Sequence, residues 1–498
     1  ILNNEVGLTR RLICRGYDFD TFMDDLYPFH PVYSNQVFEM IKAGFPLFKR
    51  FFLSENHYHV GDLWRWRERL LEILPGLDLK PIEDNLHRVV DAGKLFTNLH
   101  REETPQKLMS RGEFIRADKK TPKDLNCWAF PVCAYDHMLT GNDRAVFEEV
   151  KNDPKIKKVI LSRSKQVVLE GENVHVVPLE SLAGQRYLLE AGVVFIKHSV
   201  RKNVAYPLDP KRHKFINLWH GIPLKRIGTA SIDLQETFKQ IVKEHEKFHC
   251  VIASSSIDRM AMTAGFYPLV YDDVWVTGLP RNDFVLREEA LMPEDFQQQA
   301  QTLAADVNDR RLVLFAPTFR KDSKGYYKFT AAEIRRIHAC LEEHNLVMGV
   351  REHMAAGSHS YYEVLRGPRV INAGMNNYPN IEVLYRKADL LITDYSSCFI
   401  DFMLAGKGMI SFAYDYKKYS EAERGLFYDL EFVFPGPICH DFEALIKGLN
   451  SAVASLGDEP TESYRFKRKI FFDYIDDKSS ARLVRRILDE RGSRQEIL

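Results

Sequence analysis

The 498-residue chain is too long for one ordinary core, so two domains plus an extension are expected. Its composition is globular, 45% hydrophobic and 28% charged, with Lys+Arg and Asp+Glu balanced at 69 each. Zero net charge argues against a general nucleic-acid binder, whose affinity rests on releasing counterions from phosphates, and no apolar run reaches the ~20 residues that span a bilayer.

Residues 1–75 read as helical and aromatic-rich, densest at Phe45-Pro46-Leu47-Phe48-Lys49-Arg50-Phe51-Phe52 and Trp64-Arg65-Trp66. The charged stretch that follows is expected to be helix and loop, making 1–125 an N-terminal helical extension and linker. From Asn126 short apolar runs alternate with helical patterns. Strands are expected at Ala129–Ala134, Lys158–Ser162, Val174–Val177, Val193–Lys197, Lys214–Leu218, Cys250–Ser254 and Asp273–Thr277. After a polar helix near Pro293–Asp306 the pattern restarts, with strands at Leu312–Ala316, Leu346–Val350, Val370–Asn372, Asp389–Thr393 and Met409–Phe412. Such alternation predicts an α/β protein with parallel sheets covered on both faces. The division expected is a Rossmann-like domain at 126–290, a second at 291–460, and helices at 461–498 packing back across both. Seven dispersed cysteines (Cys14, Cys127, Cys133, Cys250, Cys340, Cys398, Cys439), with no C-x-x-C pair, read as reduced core thiols rather than disulfides or a zinc site.

Two strand ends stand out. Leu390-Leu391-Ile392 runs into Thr393-Asp394-Tyr395-Ser396-Ser397 and then an amphipathic helix at about Cys398–Leu404. Hydroxyls and free backbone N–H groups at a helix start suit phosphate oxygens; the same serines would equally serve as caps. In the other, Phe215 to Trp219 delivers His220 to a strand tip, and Gly221 and Pro223 stop the strand. Ligands of open α/β sheets bind at such tips.

Four further polar stretches lie at expected strand ends or in following loops: Gly278-Leu279-Pro280-Arg281-Asn282-Asp283, Ala316-Pro317-Thr318-Phe319-Arg320, Arg351-Glu352-His353 and Arg424-Gly425. In their joint order with Trp219-His220-Gly221-Ile222-Pro223-Leu224-Lys225 and Thr393–Ser397 with Asp401, they resemble the CDP-glycerol glycerophosphotransferase family, the teichoic-acid and capsule polymerases. The resemblance covers Asn126 to Leu488. It departs at Ile222, where Thr is common, at Arg351, where Lys is usual, and at Met354, in place of Pro. These departures bear on donor or acceptor choice rather than on reaction class.

The resemblance implies a GT-B architecture, two Rossmann-like doubly wound domains facing a cleft, with the nucleotide mainly on the C-terminal one. It implies transfer of glycerol phosphate or ribitol phosphate from a CDP-polyol to an acceptor hydroxyl, with release of CMP. His220 would be the general base, since an imidazole with a pKa near 6.5 can accept a hydroxyl proton. Thr318, Arg320, His353, Ser396, Ser397 and Asp401 would hold the donor, Arg320 through its planar fork of N–H groups. Gly221, Lys225, Arg281 and Asp394 would support the site or meet the acceptor, with Arg281 and Asp283 read chiefly as scaffold. No dense acidic cluster or D-x-D motif marks the cleft-forming segments, so no metal and no tightly bound cofactor is expected.

The expected setting is the bacterial cytoplasm at the inner face of the membrane, with a polymer or lipid-linked acceptor and peripheral membrane association. The front of the chain, Gly16-Tyr17 and Gly44–Arg50, resembles the tail of bacterial rhamnan-synthesis-type glycosyltransferases, which implies a piece of a larger multidomain polymerase. A helical membrane-docking or oligomerisation module fits equally, with Phe48–Phe52 suited to an interface. Two other functions stay open: a GT-B glycosyltransferase using a nucleotide sugar, and a non-catalytic polymer- or lipid-binding scaffold.

Overall fold

A computed structural model describes residues 14–16, 31–58, 60–100, 108–134, 136, 138–163, 169–232, 237–318, 325–352, 360–416 and 425–495. The chain divides into two compact units, Ile1–Leu108 and, essentially, Met109–Leu498.

In the first unit, short helices including Gln36–Lys42, Arg50–Glu55, Trp66–Ile73, Lys80–Val89 and Ala92–Leu99 enclose a core of Phe38, Phe52, Leu53, Leu63, Trp66 and Leu70. Asn56 takes a left-handed φ of +40° and ties the core together, its Nδ2 donating to the Val60 and Asn98 carbonyls. Of the aromatic run expected to form an interface, Phe52 is fully buried while Phe51 is exposed, so only part of that run is available at the surface.

The second unit holds two all-parallel sheets. The N-terminal sheet contains β1 (Asp124–Pro131), β2 (Lys157–Ser162), β3 (Val174–Pro178), β4 (Ala191–Ile196), β5 (Lys214–Asn217), β6 (Phe248–Ala253) and β7 (Val274–Val276), in the order β3-β2-β1-β4-β5-β6-β7. The C-terminal sheet contains β8 (Arg311–Ala316), β9 (Leu346–Val350), β10 (Val370–Asn372), β11 (Leu390–Thr393), β12 (Gly408–Phe412) and β13 (Ile438–Cys439), in the order β10-β9-β8-β11-β12-β13. Every expected strand is present: the central ones are nearly continuous apolar runs buried on both faces, and the half-buried edge strands β3 and β10 still carry β-branched residues. Only the two-residue β13 escapes such a reading. Both sheets reverse direction once, between β1 and β4 and between β8 and β11, and at these switch points the strand C-termini open a crevice.

Two details differ from the sequence-based division. The helix Arg111–Lys120, expected within the extension, belongs to the second unit: Phe114 is buried in the core under β1 and β4, and Asp118 meets both Lys123 and His213. The helix after β11 is shorter than expected, Cys398–Phe402, and tightens into a 3₁₀ turn at Met403–Ala405.

The C-terminal helices cross both lobes. Tyr464 Oη, on the helix Glu462–Phe471, donates to the Lys407 carbonyl of the C-terminal lobe, while Ser255 Oγ of the N-terminal lobe donates to the Ile470 carbonyl. The last helix, Ser479–Gln495, starts on Asp283, whose two carboxylate oxygens accept the Ser479 and Ser480 amides at 2.8 Å each. A carboxylate at a helix N-terminus satisfies orphan donors and complements the dipole. Asp283 is therefore scaffold.

Candidate active site

The crevice of the N-terminal lobe is built by its strand ends. β5 stops because Trp219 turns to a left-handed φ of +50°, its amide held by Asn217 Oδ1 at 2.9 Å. The next residue, His220, is thereby presented at the surface, exposed to solvent. Its ring lies 4.1 Å from that of Trp219 and 4.4 Å from that of His198, centroid to centroid. His198 and Lys197 follow β4 at the switch point, where Asn203 Oδ1 accepts both their amides.

His220 sits on the floor of a cleft, open to water on one side and crowded by protein on the others. Desolvation, then His198, Lys197 and Arg281, hold its pKa well below the ordinary imidazole value; a hydrogen bond to the Lys197 backbone works the other way. Burial and Lys197 likewise lower His198, to about 4. Lys197 itself pairs with Asp136 at 2.7 Å, with Asp143 nearby. Burial pushes the Asp143 carboxyl up to about 7 against Lys197, and its Oδ1 has no hydrogen-bond partner.

Arg281 joins this floor from the turn Pro280–Asn282. Its amide donates to Asn142 Oδ1 at 3.0 Å, and Asn142 Nδ2 donates to the Leu218 and Trp219 carbonyls at 2.8 and 3.2 Å. One asparagine thus fixes the Arg281 turn and the His220 loop together. Gly221 is needed for the approach of the guanidinium: at φ +159°, a Cβ there would come within 3.2 Å of Arg281 Nη2. Ile222, one of the departures from the family pattern, points into the core at 1% exposure, away from the cleft. Lys225 and Arg226 run antiparallel to the other lobe; Lys225 bridges to Leu426, Arg226 N donates to the Gly425 carbonyl, and Phe427 N donates to the Leu224 carbonyl.

The C-terminal lobe presents different chemistry. Asp394 Oδ1, just past β11, accepts from Thr318 N at 2.9 Å and Thr318 Oγ1 at 2.5 Å, and also from the Tyr395 amide. Thr393 Oγ1 donates to the Ala316 carbonyl, closing the switch between β8 and β11. The Thr318 proton is thus given to Asp394, which leaves its hydroxyl only lone pairs to offer. Ser396 Oγ accepts the Cys398 amide, and Ser397 occupies the N-cap position with no side-chain cap bond. Both serines are half-buried.

Asp401 lies one turn beyond Ser397, and there the sequence reading needs correcting. It is 1% exposed and paired with Arg281 of the other lobe, which leaves it closed off from the donor it was expected to hold. Arg351 is also internal: its Nη1 donates to the Ala373 and Tyr378 carbonyls, bracing the lobe. Arg320 and His353 lie outside the described residues, as do Met354 and Arg424.

The site therefore unites His220, Gly221, Lys225 and Arg281 with Thr318, Asp394, Ser396, Ser397 and Asp401 along the line where the two lobes meet. Lys197, His198 and Asp143 were missed as site residues. The signal existed: Ile196-Lys197-His198 is an apolar strand breaking into cationic residues, the pattern that singled out His220.

Known proteins match this architecture. The protein is similar to a teichoic acid glycerol-phosphate transferase of Staphylococcus aureus, 27% identical over 277 residues that cover 52% of this chain and 66% of the relative. It is also similar to a teichoic acid poly(ribitol-phosphate) polymerase of Bacillus spizizenii, 27% identical over 297 residues that cover 57% of this chain and 45% of the relative. The match thus spans less than two thirds of either relative. Among solved structures, the wall teichoic acid polymerase TagF superposes with a TM-score of 0.62 at 20% identity, covering 76% of this chain and 93% of that one, a likeness of fold. The sequence profile described as CDP-Glycerol:Poly(glycerophosphate) glycerophosphotransferase matches residues 116–489, and with the GT-B fold and the ordered strand-end motifs now in place, the chain belongs to that family.

Proposed function

We propose that the protein transfers glycerol phosphate or ribitol phosphate from a CDP-polyol to an acceptor hydroxyl in the synthesis of a teichoic-acid-like or capsular polymer. The observation that carries this reading is His220: an imidazole kept neutral by desolvation and by His198, Lys197 and Arg281 around it, open to the cleft, with a ring nitrogen able to accept. In the reaction, that nitrogen takes the acceptor hydroxyl's proton as its oxygen attacks the β-phosphorus. The P–O bond to the α-phosphate breaks, and CMP leaves with the electron pair. Ser396, Ser397 and the amides behind them receive the charge on the phosphates, with Arg320 and His353 as further partners. Positioning and electrostatics supply most of the acceleration in such transfers.

Among the described residues no helix is long and apolar enough to cross a membrane; the acceptor, polymer or lipid-linked, would be met at the inner membrane face by peripheral association. The test is a donor panel of CDP-glycerol, CDP-ribitol and UDP-sugars with a polyol-phosphate primer. CMP release from one CDP-polyol, lost in His220→Ala, is the expected result. Release of UDP alone would replace this reading with a glycosyltransferase, and stability unaffected by any nucleotide together with no turnover would leave a scaffold.

A further inference from the structure

Arg281 occupies a place that its role in holding the fold does not explain. Its backbone is clamped by Asn142, the residue that also holds the two carbonyls preceding His220. Its guanidinium passes over Gly221, where a Cβ would crowd it, and ends on Asp401. Asp401 lies on the helix whose N-cap is Ser397. One side chain therefore touches the loop of the base on one lobe and the helix behind the donor seat on the other.

The lobes do not need this pair to stay together. Arg386 Nη1 donates to the Phe284, Val285 and Arg287 carbonyls, the Leu224 and Phe427 backbones bond, and the C-terminal helices cross both lobes. A buried ion pair is in any case a weak source of net stability. Around it, moreover, the Asn282 amide turns toward Asp401 with part of its polar capacity unused, and Asp258 Oδ1 is left without a partner. An interface selected only for cohesion would satisfy or remove such groups.

We propose that Arg281 is a positioning residue for the transfer, dividing its charge between Asp401 and the imidazole of His220 so that the donor helix and the general base are set together. This rests on reading His220 as the base. The charged and titratable groups facing His220 are His198 and Lys197 from the end of β4 and Arg281 from its turn, with Asp136 and Asp143 behind Lys197. Arg281 is paired to Asp401 of the opposite lobe, where Glu382 also acts on its charge, whereas Lys197 is paired within its own lobe to Asp136.

The two members of the pair then have opposite effects on His220, which separates positioning from mere bracing. The experiment measures kcat/KM for CMP release against pH, using the CDP-polyol that the wild type turns over, for Arg281→Gln, Arg281→Lys and Asp401→Asn in the full chain. Loss of the cation in Arg281→Gln moves the acid limb to higher pH. Loss of the counter-charge in Asp401→Asn moves it to lower pH. Arg281→Lys keeps the wild-type limb but lowers kcat, because an ammonium keeps the charge without the planar fork. Limbs that coincide with wild type, or that shift in one direction for both partners, overturn the proposal. Where Arg281→Gln does not fold, the Asp401→Asn and Arg281→Lys profiles decide. If the wild type turns over neither CDP-polyol, the reaction reading falls by itself; NMR titration of the His220 ring in the same proteins then judges Arg281 by the same opposite shifts.

Discussion

The two lobes share one topology and use it for different chemistry. In the N-terminal lobe the switch between β1 and β4 ends in Lys197 and His198, and β5 adds His220, so the crevice is edged by cations and imidazoles over buried carboxyls. In the C-terminal lobe the switch between β8 and β11 ends in Thr318, Asp394, Ser396 and Ser397, so the matching crevice is edged by hydroxyls and amides. Identical strand geometry thus places imidazoles on one side and hydroxyls with backbone amides on the other, which the proposed reaction would use as proton acceptor and phosphate seat. The fold supplies the location, and the few residues after each strand supply the function.

If the lobes divide the work in this way, their variants should fail in different ways. The largest effect is expected in the N-terminal lobe: His220→Ala lowers kcat by about 10²–10⁴, the usual contribution of a general base. A variant that keeps full CMP release would move the base elsewhere.

Asp394→Ala should instead strike stability. It strips Thr318 N, Thr318 Oγ1 and the Tyr395 amide of their common acceptor, at roughly 1–3 kcal/mol for buried donors left unpaired, read from urea denaturation. Unchanged stability would mean that water replaces the carboxylate.

Asp143 sharpens the contrast through pH. Its carboxyl is raised to about 7 in the folded protein and titrates near ~3.9 when unfolded. Between those values the folded state holds a proton that the unfolded state has lost, so this group makes stability fall as pH rises from about 4 to about 7. Asp143→Asn should flatten that part of the stability–pH curve; an unaltered slope would mean that Lys197 keeps the group ionised.

The smallest effect belongs to Ser397. Because its side chain makes no cap bond, Ser397→Ala should leave the melting temperature in place. It should raise KM for the CDP-polyol about tenfold, the worth of one hydrogen bond to a charged group at ~1.5 kcal/mol. An equal rise for acceptor but not donor would break the assignment of hydroxyls to the donor side.

Much of this was legible beforehand for a physical reason. Strands buried on both faces are continuous apolar runs, and their ends are marked by abrupt polarity, so β1 to β12 and the positions of His220, Thr318 and Ser396 can be read along the chain. β13 is too short to leave such a mark, and the helix Arg111–Lys120 joined the second unit through Phe114 and Asp118, whose partners are remote in sequence.

The amino-acid order by itself determined the two doubly wound sheets, the tip that carries His220 and the hydroxyl-rich turn after β11, because these depend on hydrophobic period and local turn chemistry. Tertiary structure alone decided that Lys197 and His198 crowd His220, that Asp401 answers Arg281 rather than a ligand, and that Asn142 fixes two loops at once. Charge pairing and desolvation act through space between residues as far apart as 281 and 401, and nothing in the local pattern of either segment encodes the distance between them.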